Sequence, residues 1–242
     1  MTDAAARLEP STQRPLRLEA DAVLLDIEGT LSPISFVRDV LFAYSRERLL
    51  AFVDSHREDS AIGDILAQAS RIDGGDDPIA ALQRWQDRDE KIPPLKKLQG
   101  MIWEDGYRSG AFQSPIFPDA IAALTRWSAE GLPLYIYSSG STKAQLLFFA
   151  HSAEGDLRDL FSGYFDTDIG AKTEAASYAQ IAGHIDVLPR RIVFFSDNAK
   201  ELEAARIAGL AVVHVVKDET QPTPAFPSVS DFADIDIARR AG

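Results

Sequence analysis

Two carboxylates stand close together in Asp26-Ile27-Glu28-Gly29-Thr30, directly after the apolar run Ala22-Val23-Leu24-Leu25. That run reads as a buried strand, so both acids sit where a strand leaves the interior. Burying them unpartnered would cost on the order of several kcal/mol each. Either a cation or a reactive substrate compensates them, or Asp26 caps a turn and Glu28 is solvated. Three further polar clusters bear on that choice. Residues 132–137 (LPLYIY) run into Ser138-Ser139-Gly140-Ser141, a hydroxyl- and amide-rich turn entering a helical pattern, and a helix N-terminus favours anions. Tyr164-Phe165 precede Asp166, and the stretch Asp168-Ile169-Gly170-Ala171-Lys172 brings one lysine to the start of another helical pattern. Residues 191–195 (RIVFF) lead to Ser196-Asp197, with Glu201 one helical turn on. Hard oxygen ligands, a lone lysine and a hydroxyl turn together suggest Mg²⁺ and a phosphate.

The elements that must position these groups alternate. Short apolar strands at residues 22–25, 132–137, 164–165, 191–195 and 210–216 are separated by helical patterns at 118–129, 142–151, 173–183 and 198–208. Buried strands separated by helices predict a doubly wound parallel-sheet, Rossmann-like α/β core. Ligands bind beyond the carboxyl ends of such strands, where the polar clusters fall. Residues 36–117 break the alternation. Helical stripes (Phe36, Val40, Tyr44; Leu49, Phe52, Val53; Ile62, Ile65, Leu66, Ala69) and helical patterns at 78–86 and 95–103 occupy it, with loops at residues 74–78 and at Pro93-Pro94. The predicted organisation is a core of residues 1–35 and 118–242, with an all-helical cap of residues 36–117 inserted after the first strand. The cap is placed to close over the Asp26 loop. Residues 1–16 read as a loose tail and 221–230 as irregular surface chain.

Composition narrows the classes of function. Lys and Arg number 25 against 37 Asp and Glu, a net charge of −12, which disfavours nucleic acid and anionic membranes as partners. An anionic small molecule would need a local cation. Cys is absent, which removes disulfides, thiolate metal sites and Cys nucleophiles and suits a reducing cytoplasm. No apolar run approaches membrane-spanning length and the first 20 residues carry no apolar signal segment. The expectation is a cytoplasmic monomer.

D-x-E-G-T, then strand–Ser-Ser-Gly-Ser, then Lys, then strand–Asp, in that order, resembles the haloacid dehalogenase superfamily. Within it, Leu24-Leu25-Asp26-Ile27-Glu28-Gly29-Thr30, Leu98-Gln99-Gly100-Met101-Ile102-Trp103 with Gly106-Tyr107, Tyr135-Ile136-Tyr137-Ser138-Ser139-Gly140-Ser141 and Phe165-Asp166-Thr167 resemble the enolase-phosphatase branch of methionine salvage, the acireductone synthases. Glu at position 28, where most of the superfamily has Asp, is itself a discriminator; it reaches ~1.5 Å further. The resemblance implies one Mg²⁺ per subunit and a phosphorylated diketone substrate, 2,3-diketo-5-methylthiopentyl-1-phosphate, enolised and then dephosphorylated through an aspartyl-phosphate. It implies Asp26 as nucleophile and Glu28 as general acid and base. Lys172 would neutralise charge, Ser138 and Ser139 would hold the phosphate, and Asp26, Glu28 and Asp197 would hold the metal. The alternatives are a general small-molecule phosphatase or phosphomutase acting on sugar phosphates, or a catalytically silent phosphate-binding protein.

Several residues keep two readings. Asn198 stands where many relatives carry a second carboxylate; Glu201 either serves through a water or is a solvated helix residue. Lys143, Lys96 and Lys97 read as solvated rather than as phosphate or substrate contacts. Trp103 and Tyr107 either pack the helical bundle or line the substrate mouth. His56, His151, His184 and His214 show no ligand spacing and read as surface or core residues.

Overall fold

The structure, a computed structural model, describes residues 15–217 and 220–239. Its main sheet joins six strands in the order β4-β3-β2-β5-β6-β7, all parallel. These are β2 (Ala22–Leu25), β3 (Leu134–Tyr137), β4 (Gly163–Phe165), β5 (Ile192–Ser196), β6 (Ala211–Val215) and β7 (Ser228–Val229). The unbroken apolar character of β2 follows from its central place. Val23 and Leu25 face one core cluster, with Trp127 and Phe149, while Ala22 and Leu24 face a second, with Tyr178 and Leu202. Helices α5 (Pro118–Ala129) and α6 (Thr142–Ala150) supply the first cluster; α7 (Ala175–His184) and α8 (Ala199–Ile207) supply the second. Helices therefore cover both faces, as a parallel sheet requires. The chain leaves β2 toward β3 on one side and returns to β5 on the other. This reversal opens a crevice at the carboxyl ends of β2, β3 and β5.

The strand reading needs two corrections. The strand at 22–25 is not the first: β1 (Leu16–Glu19) precedes it and pairs in parallel with β8 (Ile235–Ala238) in a separate two-stranded sheet. The helical segment thus follows the second strand of the chain. The supposedly irregular stretch 221–230 contributes β7 to the edge of the main sheet. The expected N-terminal tail lies outside the described residues apart from 15 and 16, and Leu16 opens β1.

Between β2 and β3 the ordered elements are helical. A π-helical turn (Phe36–Phe42) leads into α1 (Ala43–Ser55), followed by α2 (Ser60–Asp73), α3 (Pro78–Asp87) and α4 (Pro93–Ser109). Leu49, Ile65, Leu82, Trp85, Leu98 and Ile102 form a hydrophobic cluster of their own. Pro93 and Pro94, read as a loop, instead open α4, where a missing amide is no loss. Trp103 and Tyr107 do not join the helical cluster. Trp103 Nε1 donates to Leu41 O at 2.7 Å, Tyr107 is buried against Ser114 Oγ at 2.6 Å, and both pack toward the sheet-side core.

Candidate active site

Asp26 still belongs to the sheet: its amide donates to Phe195 O at 3.0 Å, and the chain turns only afterwards. Gly29 takes φ +72°, a conformation glycine enters without steric cost, and the amides of Thr30, Leu31 and Ser32 fold back onto Ile27 O. This leaves Asp26 buried at the head of β2 and Glu28 partly buried beyond it.

Lys172 reaches the same point from beyond β4. Three hydroxyls hold its loop: Tyr137 OH donates to Gly170 O, Ser177 Oγ to Ala171 O and Tyr178 OH to Lys172 O, at 2.7–3.0 Å. The ammonium, only 6% exposed, lies 2.5 Å from Asp26 Oδ1 and 2.7 Å from Glu201 Oε2. Glu201 is therefore no solvated helix residue. It is buried in the first turn of α8, and Ser196 Oγ stands 3.2 Å from both Glu201 Oε2 and Asp26 Oδ2. Asp26 Oδ1 also accepts the Ile27 amide at 2.8 Å, so Oδ2, with only the longer Ser196 contact, is the freer oxygen.

Asp197 follows β5 and is gripped through its backbone. Its amide donates to Thr30 Oγ1 at 3.0 Å and its carbonyl accepts from His214 Nε2 at 2.9 Å. Its carboxylate lies against Gly29, where a Cβ would stand 2.2 Å from Oδ2.

Ser138 is buried at the end of β3, and the pairing of Leu25 with Ile136 sets it one step beyond the level of Asp26. Its Oγ accepts the Gly140 amide at 3.1 Å, leaving the hydroxyl hydrogen to donate. The α6 N-terminus is less open than expected. Asp166 Oδ2 accepts from Thr142 N and Oγ1, and Ser141 Oγ accepts from Ala144 N. At this helix end the Thr142 and Ala144 amides are thereby already engaged, and the Ser138-Ser139-Gly140 turn is what remains to meet an anion. Lys96 is not simply solvated: its Nζ, on α4, donates to Ser139 O at 3.3 Å. Lys143 stays outside the cluster and pairs with Glu104.

The charges do not balance. Among the described residues, Asp26, Glu28, Asp197 and Glu201 meet one buried ammonium, that of Lys172. Burial alone would lower the Lys172 pKa, but Asp26 and Glu201 outweigh it and hold the ammonium charged above its ordinary range. Excess negative charge falls on the other acids. Burial, then the charge of Asp26, pushes Glu28 and Glu201 up from their ordinary values and Asp197 up to about 7. A divalent cation would relieve this. Among the described residues no three or more acidic, His or Cys side chains are gathered as a ready metal cage. Mg²⁺ does not need one, since it commonly binds through one or two carboxylates, waters and a substrate phosphate. The donor set therefore fits it.

A model of the haloacid dehalogenase-like hydrolases matches residues 20–209. The chain belongs to that family. Among haloacid dehalogenase-like hydrolases, it is 59% identical to an enolase-phosphatase E1 of Bradyrhizobium sp. strain BTAi1, over 92% of this chain and 96% of that one. It is 45% identical to an enolase-phosphatase E1 of Aquifex aeolicus, over 89% of this chain and 99% of that one. The crystal structure of the UTR4 protein of Saccharomyces cerevisiae superposes with a TM-score of 0.77 at 34% identity, covering 90% of this chain and all of that one. The family and fold implied by the motifs at residues 26–30, 138–141, 172 and 197 are borne out. Glu201, Ser196, Thr30 and Lys96 were missed or left open; an acid spaced one turn after Asp197 was the only signal for any of them.

Proposed function

We infer that the protein is an enolase-phosphatase of methionine salvage. It enolises 2,3-diketo-5-methylthiopentyl-1-phosphate and then hydrolyses the phosphate ester to release the acireductone. The observation that carries this reading is near-full-length identity of 59% to an enolase-phosphatase in a chain whose acids and lysine converge at the sheet crevice.

Mg²⁺, held by the carboxylates of Asp26 and Asp197 and by Glu28 through its backbone carbonyl, would supply positive charge for the phosphoryl group and for the enolate oxygen. Asp26, ion-paired with Lys172, attacks phosphorus. As the P–O ester bond breaks, Glu28 gives its proton to the leaving oxygen; burial, then the charge of Asp26, raises its proton affinity, the direction that suits an acid. Glu28 then takes a proton from water, whose oxygen attacks phosphorus and frees Asp26. Ser138 Oγ–H and the Ser139 amide donate to the phosphate oxygens, and Lys172 stays charged beside them.

Turnover of the diketo-phosphate with and without EDTA tests the reading. The expected result is acireductone and phosphate formed only with Mg²⁺ present. Metal-independent turnover, or a sugar phosphate preferred over the diketone, would overturn it. We further read the protein as a cytoplasmic monomer. Its lack of Cys supports the compartment, and light scattering at working concentration tests the assembly. Among the described residues no helix is long and apolar enough to cross a membrane.

A further inference from the structure

His214 is 1% exposed on β6, yet the chemistry above makes no use of it. Its strand neighbours Val212, Val213 and Val215 are apolar and buried, so packing alone would favour another aliphatic residue here. The pairing of β6 with β5 sets His214 beside Ser196, one residue short of Asp197. On its other side the His214 amide donates to Pro227 O at 2.8 Å, fixing the strand. A carbonyl oxygen can only accept, so the 2.9 Å contact to Asp197 O means that Nε2 carries the hydrogen. Nδ1 meets no partner among the described residues. The ring thus sacrifices one buried nitrogen to make a single bond, and that bond goes to the backbone of Asp197.

Asp197 is consequently held at both ends of its residue by different strands. Thr30, after β2, takes its amide, and His214, on β6, supports its carbonyl. With both peptide groups held, the direction in which the side chain leaves the backbone is set, and the carboxylate lies against Gly29. We propose that His214 is a positioning residue for Asp197, setting the angle at which this carboxylate faces the cation. The inference rests on the reading of Asp197 as a Mg²⁺ ligand. Groups that orient metal ligands typically govern affinity by 10- to 100-fold.

The test is calorimetric titration of Mg²⁺ into the full chain and into His214→Val, His214→Gln and Asp197→Asn. Wild type binds, Asp197→Asn does not, and His214→Val binds roughly 10-fold or more weakly. His214→Gln, whose side-chain amide can donate to the same carbonyl, recovers most of the affinity. At saturating Mg²⁺ the kcat of His214→Val stays within a few-fold of wild type, while its Mg²⁺ requirement rises. Wild-type affinity in His214→Val, with binding lost in Asp197→Asn, overturns the positioning role and leaves the Asp197 reading intact. Absence of Mg²⁺ binding in wild type overturns both. If His214→Val does not fold, the ¹⁵N-histidine spectrum of wild type decides. The His214 Nε2 resonance, assigned by its loss in His214→Gln, moves on Mg²⁺ addition; a resonance that stays put overturns the proposal.

Discussion

Gly29 and Asp197 touch so closely that no side chain fits between them: a Cβ at position 29 would lie 2.2 Å from Asp197 Oδ2, and the φ of +72° is itself unfavourable to any other residue. Gly29→Ala must therefore push the two loops apart. Displacements near 1 Å at a reacting centre cost roughly 10²-fold in rate. We expect kcat/KM to fall by about that factor with native circular dichroism retained. Activity within threefold of wild type would show that the Asp197 loop moves freely.

Among the described residues, Lys172 is the one cation paired with both Asp26 and Glu201. Lys172→Met leaves two buried carboxylates unpaired, and breaking a buried pair costs about 3–5 kcal/mol. For a chain of this size that corresponds to a melting temperature roughly 6–20 °C lower. Thermal unfolding should show the drop, and phosphate release should be abolished. A variant as stable as wild type would mean that the carboxylates take up protons without penalty.

The strand-end residues Asp26, Ser138 and Asp197 were legible because each follows an apolar run with no polar alternation, the signature of a strand covered on both faces. The place of Glu201 was not. An acid in the first turn of a helix reads as solvated unless the face that meets β5 is known, and only packing reveals that Ser196 and Lys172 lie beneath it. The contact of Lys96 with Ser139 depends on how α4 lies against the sheet, which no local pattern encodes. Strands β1 and β8 escaped for a simpler reason. Each is four residues long with one exposed face, too short for a two-residue period to stand out, and each pairs only with the other end of the chain.

Asp197 gives the site a pH signature. Burial, reinforced by Asp26, moves its pKa from an ordinary 3.8 up to about 7, so the folded chain holds a proton there that the unfolded chain releases. The stability contributed by the neutral carboxyl is complete below about pH 4 and is lost as pH rises through 7, at about 1.4 kcal/mol per unit before screening at this partly exposed group. Mg²⁺ at the proposed site displaces that proton, so its affinity rises over the same interval. Metal-free wild type should lose melting temperature between pH 4 and 7 relative to Asp197→Asn, and Mg²⁺ should raise the melting temperature more at pH 8 than at pH 5. Equal increments at the two pH values would contradict the assignment.

Lys96 is half-buried and its contact with Ser139 O lies open to solvent, so that contact adds little to stability, on the order of 0.5 kcal/mol. Its charge stands over the proposed phosphate turn. Lys96→Ala should leave the melting temperature almost unchanged while KM rises several-fold more than kcat falls, and the effect should shrink with added salt. A kcat loss without change in KM would remove Lys96 from substrate capture.

Strands β2 and β3 are neighbours in the sheet, yet the chain runs from Leu25 to Leu134 between them. Closing so long an intervening stretch is entropically slow, whereas helices with their own apolar cluster assemble from local contacts. The order of assembly expected from this is that the helical segment condenses early and shortens the effective tether, with the sheet closing afterwards. On that order Asp26, Ser138 and Asp197, which follow three different strands, would come together only in the last stage. A nascent chain still lacking β5 would have a complete helical segment but no Asp197 beside Asp26, so on the proposed reading half-made protein would be silent toward the phosphate esters around it.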